Sequence, residues 1–481
     1  MKTLKTLEPQ QRDNLLILFV AALLFWVSLA CLLPTLPLYV EDLGGTTQQI
    51  GLVVAAFAVG LLLCRPTLGK LSDRRSRKLV VLIGFTVLTI APLGYLFAKS
   101  IPLLLLIRVF HGISIAAYTT GNSALIVDLS PMDKRGEVIG YMSLTTPIGM
   151  AIGPAIGGFL QAEVSYTSLF LFSFGTGLLG LLFAFRVQEP RLSPVGAPLV
   201  DTQQSKSQRV HSKVAQTVLR RDKGDKEDKG DKGDSTETKK DICKNGMFPS
   251  QTTGVSVESD NDKFWKLLGS PRLRIPTLVM LLVGLIFGSL ATFVALYIRE
   301  AKVDLNVGWF YTAAAMTSFC SRFFTGRASD RYGRGLFITV SLVFYCLSML
   351  LLAQAQSPVA FLLAGLLEGA AAGTLIPTMI ALISDRSYAH ERGRVFALCL
   401  GGFDVGIAIA GPLFGTFAKQ LGGYQGIFSL TLGIALLALI IFITQNGKDL
   451  GYSLRFATGR EQDIYALSSV RLQSDRGMGK S

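Results

Sequence analysis

Long apolar segments alternate with short polar loops along most of this chain. Each apolar segment has about the 20 residues that a helix needs to cross the hydrocarbon of a bilayer. The pattern predicts an all-α membrane protein with twelve transmembrane helices in two groups of six. The segments lie near residues 15–40, 50–68, 79–98, 101–127, 137–160 and 166–186, and near 275–298, 307–325, 336–354, 358–383, 394–418 and 424–444.

Composition agrees with this pattern. Of the 481 residues, 50% are hydrophobic and only 17% are charged, which is too apolar for a soluble domain of this length. The first apolar segment is too long for a cleaved signal peptide, and no small-residue cleavage site follows Pro34 and Pro37. We therefore expect it to remain as a membrane span.

Positively charged residues collect in alternate loops. Outside the two tails and residues 187–263 the chain has 24 Lys and Arg, of which 19 fall on the side of the loops after even-numbered spans. Cations are retained on the cytoplasmic side of a membrane. We therefore expect a multi-pass protein of the plasma or inner membrane with both termini in the cytoplasm. The exceptions are Lys99, Arg299, Lys302 and Lys419 in the opposite loops and Arg108 within a span.

The net charge of +14 does not indicate a nucleic-acid partner. Its excess lies in short loops next to the membrane, where anionic lipid attracts cations. Residues 187–263 instead carry nearly balanced charges, as in RRDKGDKEDKGDKGDSTETKKD. This low-complexity stretch has few apolar residues to bury and predicts a disordered linker. Its composition favours a spacer over a regulatory or partner-binding site.

These patterns divide the chain into five parts. We predict a cytoplasmic N-terminus (1–14), a first six-helix bundle (15–186), a largely disordered cytoplasmic linker (187–270), a second six-helix bundle (271–444) and a cytoplasmic tail (445–481). The cysteines lie in or beside spans, apart from Cys243 in the linker, and their spacing indicates neither a disulfide framework nor a metal site.

An internal repeat relates the two bundles. GRASDRYGRG at residues 326–335 repeats GKLSDRRSRK at residues 69–78, at an offset of 257 residues. A slip of one residue later aligns Gly411-Pro412 with Gly153-Pro154. Two parallel repeats are typical of transporters, with the substrate site between them near the membrane midplane. The pairs related by the offset include Asp73 and Asp330, Arg77 and Arg334, Arg65 and Arg322, His111 and Glu368, and Asp128 and Asp385.

The loop after the second span resembles the signature of the major facilitator superfamily, G-x-L-x-D-R-x-G-R-K. Ser76 is the one departure from it, in place of a glycine that the second copy retains as Gly333. The resemblance covers nearly the whole chain outside the linker and tail, and it implies the major facilitator fold with two pseudo-symmetric bundles. The matching residues are Gly69, Leu71, Asp73, Arg74, Arg77 and Lys78, and in the second copy Gly326, Asp330, Arg331 and Arg334.

The resemblance implies that these loops form a conformational latch. Asp73 is expected to meet the end of a helix from the other bundle, and Arg77 to meet Asp128 at the foot of span four, with Asp385 at the equivalent place in the second half. A carboxylate near a helix N-terminus is stabilised by about 0.3–1 kcal/mol when exposed. The alternative is that the charges only fix topology, which explains the cations but not the aspartates.

Span four carries a polar stripe. Arg108, His111, Tyr118 and Asn122 recur at helical spacing on one face. Ionisable groups at this depth are costly unless they face a cavity or a partner, so we expect the face to look inward. Residues 108–112 also resemble the family's R-x-x-Q-G pattern, which is linked with proton-coupled transport, with His111 in place of Gln. A structural hydrogen bond between helices is the alternative for His111.

Span five carries a glycine pattern, GYMSLTTPIGMAIGPAIGGFL. Three of its glycines recur every four residues, which allows another helix to approach closely, and its proline favours a bend. The spacing is similar to the antiporter motif of drug and proton exchangers in the superfamily, and it favours export over import. Ordinary glycine packing is the alternative. The motif consists of Gly140, Gly149, Gly153, Pro154, Gly157 and Gly158.

Two acids lie within predicted spans of the second half, Glu368 in span ten and Asp404 in span eleven. An acid in a cavity of the membrane can carry a proton. Glu368 lies near the middle of its span and is the first candidate for the proton site, and Asp404 is the second. Either alternatively pairs with Arg108 or binds a cationic substrate.

We predict a secondary active transporter that works by alternating access and exports small organic molecules or drugs in exchange for protons. A proton symporter, a passive facilitator and a transporter-like membrane sensor are the alternatives. An enzyme is disfavoured, because only His111 and His390 lie outside the linker and neither paired acids nor metal-spaced ligands occur. We expect a monomer in contact with lipid, with protons and a small molecule as partners and without nucleic acid, metal or cofactor.

Overall fold

The computed structural model describes residues 9–131, 135–189, 269–388 and 391–467. Every regular element in these ranges is a helix. Most of the predicted linker (187–270) lies outside the described residues. His390 and the end of the predicted tail lie outside them as well. The first half comprises α1 (Pro9–Ala30), α2 (Leu36–Asp42), α3 (Thr47–Arg74), α4 (Arg77–Phe97), α5 (Ile101–Leu129), α6 (Arg135–Ser143), α7 (Thr145–Glu163) and α8 (Tyr166–Arg186).

The second half repeats this series with fewer interruptions. Its six long helices occupy the positions that the apolar segments predict, and one further short helix follows them in the tail. They are α9 (Arg274–Glu300), α10 (Val307–Tyr332), α11 (Arg334–Ala353), α12 (Pro358–Asp385), α13 (Arg392–Phe417), α14 (Tyr424–Gln445) and α15 (Leu450–Ala457).

Two predicted spans of the first half are interrupted by proline. A proline has no N–H to donate to the carbonyl four residues earlier. Pro34 and Pro37 separate α1 from α2, so the single helix predicted near 15–40 is two helices. The fifth span breaks at Leu144, where Pro147 cannot donate to the carbonyl of Ser143. The break therefore lies before Pro154, through which α7 continues.

Eleven spans within the described ranges are long and apolar enough to cross a membrane. The twelfth predicted span is α10, which has a comparable length but a more polar composition, including Thr312, Ser318, Ser321 and Arg322. This helix packs along α7 and α12. Neighbouring helices therefore cover much of its polar surface, which is how a moderately apolar helix is accommodated in a bundle.

The two halves pack their helices in the same pattern. In the first half, α5 packs against α3 and α4, α8 against α4 and α1, and α1 against α7. In the second half, α12 packs against α10 and α11, α14 against α11 and α9, and α9 against α13. The helix pairs correspond one to one. The repeat seen in the sequence is therefore also a repeat of the packing.

The halves meet through two symmetry-related helix pairs, α3 with α13 and α7 with α10. Each pair joins a helix of one half to a helix of the other. Together these four helices form the walls between the halves. A site between the halves is therefore bordered by residues of α3, α7, α10 and α13.

The predicted tail contains α15, which packs against α14 and α11. Its anchor is Arg386, whose side chain is fully buried. The guanidinium pairs with Asp463 at 2.7 Å and donates to the side-chain oxygen of Asn446 at 3.0 Å. The ring of Tyr465 lies 5.1 Å from the same guanidinium. The tail is therefore bound to the second bundle rather than only attached to its last helix.

We predict that Asp463→Ala releases this tail segment. Loss of one partner of a buried ion pair costs about 3–5 kcal/mol, because the other charge stays buried. Limited proteolysis of the purified protein should cleave after residue 445 much faster than in wild type. Arg455→Ala is the matched control, since its exposed pair with Glu461 contributes about 1 kcal/mol or less. Equal cleavage rates in both variants would contradict the anchoring role of Arg386 and Asp463.

Candidate functional site

The loop between α3 and α4 is fixed within its own half. Arg77 forms an ion pair with Asp128 of α5 and donates to the carbonyl of Ala124 at 3.0 Å. Ser76 caps α4 by accepting from the backbone N–H of Leu79 at 3.0 Å. With φ of −168°, Ser76 has extended backbone that needs no glycine. A glycine is therefore dispensable at this position of the loop.

The second copy of the loop has the same ion pair. Arg334 pairs with Asp385 of α12 at 2.6 Å, and Asp330 lies 3.4 Å from the same guanidinium. Here the glycine is required, because Gly333 has φ of +93°, in the left-handed region. The structure thus brings the loop arginine and the helix-end acid together in both halves. We call the end of the bundle that carries these loops the motif end.

The halves are apart at the motif end. Asp73 and Arg74 are exposed, as is Arg331 in the second copy, and Asp73 has no hydrogen bond or ion pair with any described residue. A Cβ added at Gly69 or Gly326 would meet no atom within 4 Å. Asp73 therefore does not form the expected contact with any residue of the other half that the structure describes.

The halves touch at the opposite end, which we call the closed end. A Cβ on Gly51 of α3 would overlap the backbone of Gly411 of α13, and a Cβ on Gly158 of α7 would lie 2.8 Å from the backbone nitrogen of Gly308 of α10. Such close approach is possible only between small residues. Both contacts involve symmetry-related helix pairs. Backbone packing therefore holds the closed end together.

An ion pair between the halves adds to this packing. Arg299, at the end of α9, pairs with Asp42 at 2.6 Å and with Glu41 at 2.9 Å, both at the end of α2. All three side chains are at least a third exposed, so solvent screens the pair. The sequence predicted only that Arg299 lies in an outer loop. Nothing in the local pattern identified its acidic partners.

A second ion pair between the halves lies further into the membrane. Arg65 of α3 pairs with Asp404 of α13. Asp404 is therefore not the partner of Arg108, which was one alternative from the sequence. Its carboxylate is already engaged with a cation in this conformation. Of the two acids predicted as proton sites, Asp404 is thus the one with a charge partner.

The polar stripe of α5 packs inside the first half. His111 is fully buried, and its Nδ1 lies 3.0 Å from the hydroxyl of Tyr95 on α4. Its Nε2 is buried without a hydrogen-bond partner in the described ranges. Arg108 lies with its guanidinium 4.5 Å from the ring centre of Phe57 on α3. His111 thus has one structural hydrogen bond and one free nitrogen.

The other two stripe residues lie closer to the motif end. Tyr118 stacks on Phe25 of α1 with ring centres 3.7 Å apart. The hydroxyl of Tyr118 and the Oδ1 of Asn122 are buried without a hydrogen-bond partner among the described residues. The four residues do share a face. That face is packed against α1, α3 and α4, so the structure does not present it as an open lining of the interface.

Glu368 lies within the second half, where only 7% of the residue is exposed. Its helix packs on α10 and α11, which contribute the buried Tyr311 and Tyr345 to its surroundings. The hydroxyl of Tyr345 is buried without a partner, and Glu368 has no hydrogen bond or ion pair to a residue that the structure describes. Glu368 is thus a buried acid without a charge partner.

The glycine face of α7 packs mainly inside the first half. Gly149, Gly153 and Gly157 lie against successive residues of α1, where a Cβ on Gly153 would be 2.8 Å from the carbonyl of Val27. Of the motif residues, Gly158 and the carbonyl of Pro154 contact the other half, where both lie against Gly308 of α10. Gly140, on α6, meets no atom within 4 Å. The motif therefore joins α7 both to its own bundle and to α10.

Comparison with protein families gives one match, to a model described as Major Facilitator Superfamily, over residues 18–306 and 277–455. The chain is 32% identical over 181 residues to the quinolone resistance protein NorA of Staphylococcus aureus, which covers 37% of this chain and 46% of NorA. It therefore aligns with about half the length of this relative.

A second relative aligns over nearly its full length. The multi-drug resistance efflux pump PmrA homolog of Lactococcus lactis is 24% identical over 441 residues, covering 90% of this chain and 94% of that protein. Its similarity therefore extends to both halves of the chain.

Two solved structures share the fold. A bacterial homolog of the human lysosomal transporter Spinster, in an inward-facing and unoccupied conformation, matches with a TM-score of 0.61 at 14% identity, over 96% of this chain and 98% of that one. The peptide transporter POT in complex with sulfate matches with a TM-score of 0.64 at 14% identity, over 89% and 94%. At these identities the likeness concerns the fold alone.

We predict that Gly158→Val opens the closed end. The added side chain would overlap Gly308, and overpacking of this kind costs about 1–3 kcal/mol. That cost shifts the population away from the closed arrangement by roughly fivefold to a hundredfold. Spin labels at Lys99→Cys and Lys419→Cys, in a background without native cysteines, should show longer distances. Gly140→Val is the control, and unchanged distances in Gly158→Val would contradict the packing role.

Proposed function

This chain belongs to the Major Facilitator Superfamily, and we propose that it is a secondary active transporter that exports small organic molecules or drugs in exchange for protons. The family assignment confirms the resemblance that the loop motifs indicated, and it places the chain among membrane transporters rather than enzymes. The fold prediction is confirmed as well, since every regular element that the structure describes is a helix and the solved transporter structures share this fold.

The observation that carries the proposal is the contact pattern between the halves. They pack backbone to backbone at the closed end, at Gly51 with Gly411 and Gly158 with Gly308, while Asp73 at the motif end is exposed and has no partner among the described residues. The distribution of Lys and Arg predicts that the motif end is cytoplasmic. With that orientation the conformation is open to the inside, and alternating access is a rocking of one half against the other.

The motif loops supply a latch for the opposite conformation. α3 packs along α13, so closing the motif end brings Asp73, at the C-terminal end of α3, toward the N-terminal end of α13. A carboxylate there gains from the helix dipole. Arg77 and Arg334 hold their loops in place through Asp128 and Asp385. The latch is thus preassembled in each half and engages only when the halves close.

Glu368 is the group that we assign to proton coupling. It is buried and has no charge partner, whereas Asp404 is already paired with Arg65. A proton carrier must be able to gain and lose its proton as the site changes sides, and an acid held by a cation is poorly suited to do so. Asp404, the second candidate from the sequence, is therefore less suitable, and His111 at the equivalent place of the first half is the alternative, because its Nε2 is buried without a hydrogen-bond partner among the described residues.

Export of drugs is supported by the relatives. The names of NorA and of the PmrA homolog describe quinolone resistance and multidrug efflux. The glycine motif of α7, similar to that of drug and proton exchangers, agrees with this direction of transport. Localisation to the cell membrane, a monomeric state and both termini in the cytoplasm stay predictions.

We predict that Asp73→Asn lowers transport severalfold without loss of stability. The side chain is exposed and has no partner in this conformation, so the free energy of unfolding should change by about 0.5 kcal/mol or less. Flux falls because the closed motif end loses a charge at the helix terminus. Asp304→Asn, an exposed aspartate near the closed end, is the matched control. Wild-type flux in the Asp73 variant would remove the latch from the mechanism.

We predict that Glu368→Gln abolishes uphill transport driven by a pH gradient. The amide keeps the shape of the side chain but cannot release a proton, while downhill exchange of substrate should persist. Inverted vesicles with and without an imposed gradient measure both activities. Glu163→Gln, at the exposed end of α7, is the control.

The direction of the proton effect separates the alternatives. If Glu368→Gln accumulated substrate at the wild-type level under an imposed pH gradient, the coupling proton would have to bind to a residue other than Glu368. Substrate movement together with protons in the wild type would indicate a symporter, and binding without any flux would indicate a sensor.

A further inference from the structure

Arg322 is a cation at the interface between the halves that has no acidic partner in the part of the chain that the structure describes. It lies on α10, where Thr312 donates to the carbonyl of Ala151 on α7 at 3.0 Å. Helical spacing puts Arg322 close to the face that carries Gly308 and Thr312. The lipid side of α10 is marked by Met316, which is 59% exposed. Arg322 therefore points away from lipid, toward the space between α7 and α12.

The repeat identifies what is missing at Arg322. Its counterpart in the first half, Arg65, is neutralised across the interface by Asp404. In the part of the repeat that aligns Gly411-Pro412 with Gly153-Pro154, the residue of the first half that corresponds to Asp404 is Thr146 of α7. Thr146 has no charge. One of the two symmetry-related contacts between the halves thus contains an ion pair, and the other contains an arginine alone.

No side chain of the described ranges replaces the missing acid. The Nε of Arg322 is buried without a hydrogen-bond partner, and its guanidinium forms no ion pair there. On the neighbouring α12, Gly369 packs against Ala314 and Thr317, so Glu368 lies more than a turn of helix away along α10. The other acid of α12, Asp385, is held by Arg334.

An unpaired arginine inside a membrane protein is costly and therefore marks a site for an anion. Its planar guanidinium matches a carboxylate, which it can bind through two parallel hydrogen bonds. The side chain retains some exposure, so a ligand can reach it.

We propose that Arg322 binds the carboxylate of the transported molecule, so that the substrates of this protein are organic acids or zwitterions. The assignment rests on the proposed transport function and adds the substrate class. The ligand's carboxylate takes the place at Arg322 that Asp404 has at Arg65. Binding of substrate then neutralises Arg322, and each empty return leaves Arg322 unpaired.

The test compares a quinolone carboxylic acid with its carboxamide. Binding to the purified full chain is measured by scintillation proximity, and flux is measured in proteoliposomes. Wild type should bind the acid more tightly than the amide, and Arg322→Gln should weaken binding of the acid by roughly tenfold to a hundredfold and leave the amide unchanged. Arg322→Lys should restore part of the preference. Arg274→Gln, an exposed arginine at the start of α9, is the matched control.

Thermal stability distinguishes this role from a structural one. Arg322→Gln removes an unpaired charge and should keep or raise the melting temperature, whereas Arg65→Gln leaves Asp404 unpaired and should lower it. The acid should raise the melting temperature of wild type but not of Arg322→Gln. A melting temperature of Arg322→Gln well below wild type would overturn the proposal, because it would show that Arg322 already has a stabilising partner.

Three further results would overturn the proposal. The first two are equal affinity of the wild type for the acid and the amide, and no binding of either compound. The third is an equal loss of acid flux and amide flux in Arg322→Gln, because that result would indicate a conformational role for Arg322. The proposed transport function fails separately, if the wild type binds the acid through Arg322 but moves neither compound.

Discussion

A charge in the interior of this bundle must find a partner, because the surrounding hydrocarbon cannot solvate it. Most of its charges meet this requirement within the chain. Arg77 and Arg334 pair with acids of their own halves, and Arg65 pairs with Asp404 of the other half. These pairs fix the loops and the interface.

Glu368 and Arg322 lack such a partner among the residues that the structure describes. They are also the two for which we propose transport roles, with a proton and with an anionic substrate. A proton and a carboxylate are ligands that come and go, so their binding groups must be left unsatisfied by the protein itself. In this proposal the departures from full pairing serve transport, as is usual where a local rule is broken.

The repeat explains why the halves can rock against each other. Most of the interface is formed by α3 with α13 and by α7 with α10, and these two helix pairs are related by the exchange of the two halves. Glycines at Gly51, Gly158, Gly308 and Gly411 allow backbone contact at one end. These glycine contacts lie at one end of the helices. When the halves separate at that end, the opposite ends of the helices move toward each other. The segments beside the motif loops hold each half rigid: Glu189 accepts from the N–H of Arg77 at 2.7 Å, and Asp463 binds Arg386.

Hydropathy and motif spacing are local properties of the chain, so the spans and the repeat could be predicted from the sequence alone. The pairing of Arg77 with Asp128 was implied by the resemblance to the family, and the structure contains that ion pair. The sequence also predicted Glu368 as an acid within a span, and the structure places that side chain in the buried interior of the second half. Only the tertiary structure decided that Asp404 belongs to Arg65, that Arg299 meets Asp42, and that the tail is anchored at Arg386. These partners are far apart in sequence, so no local pattern relates them. The side on which the halves touch was likewise beyond the sequence, since both conformations of a rocking bundle are built from the same helices.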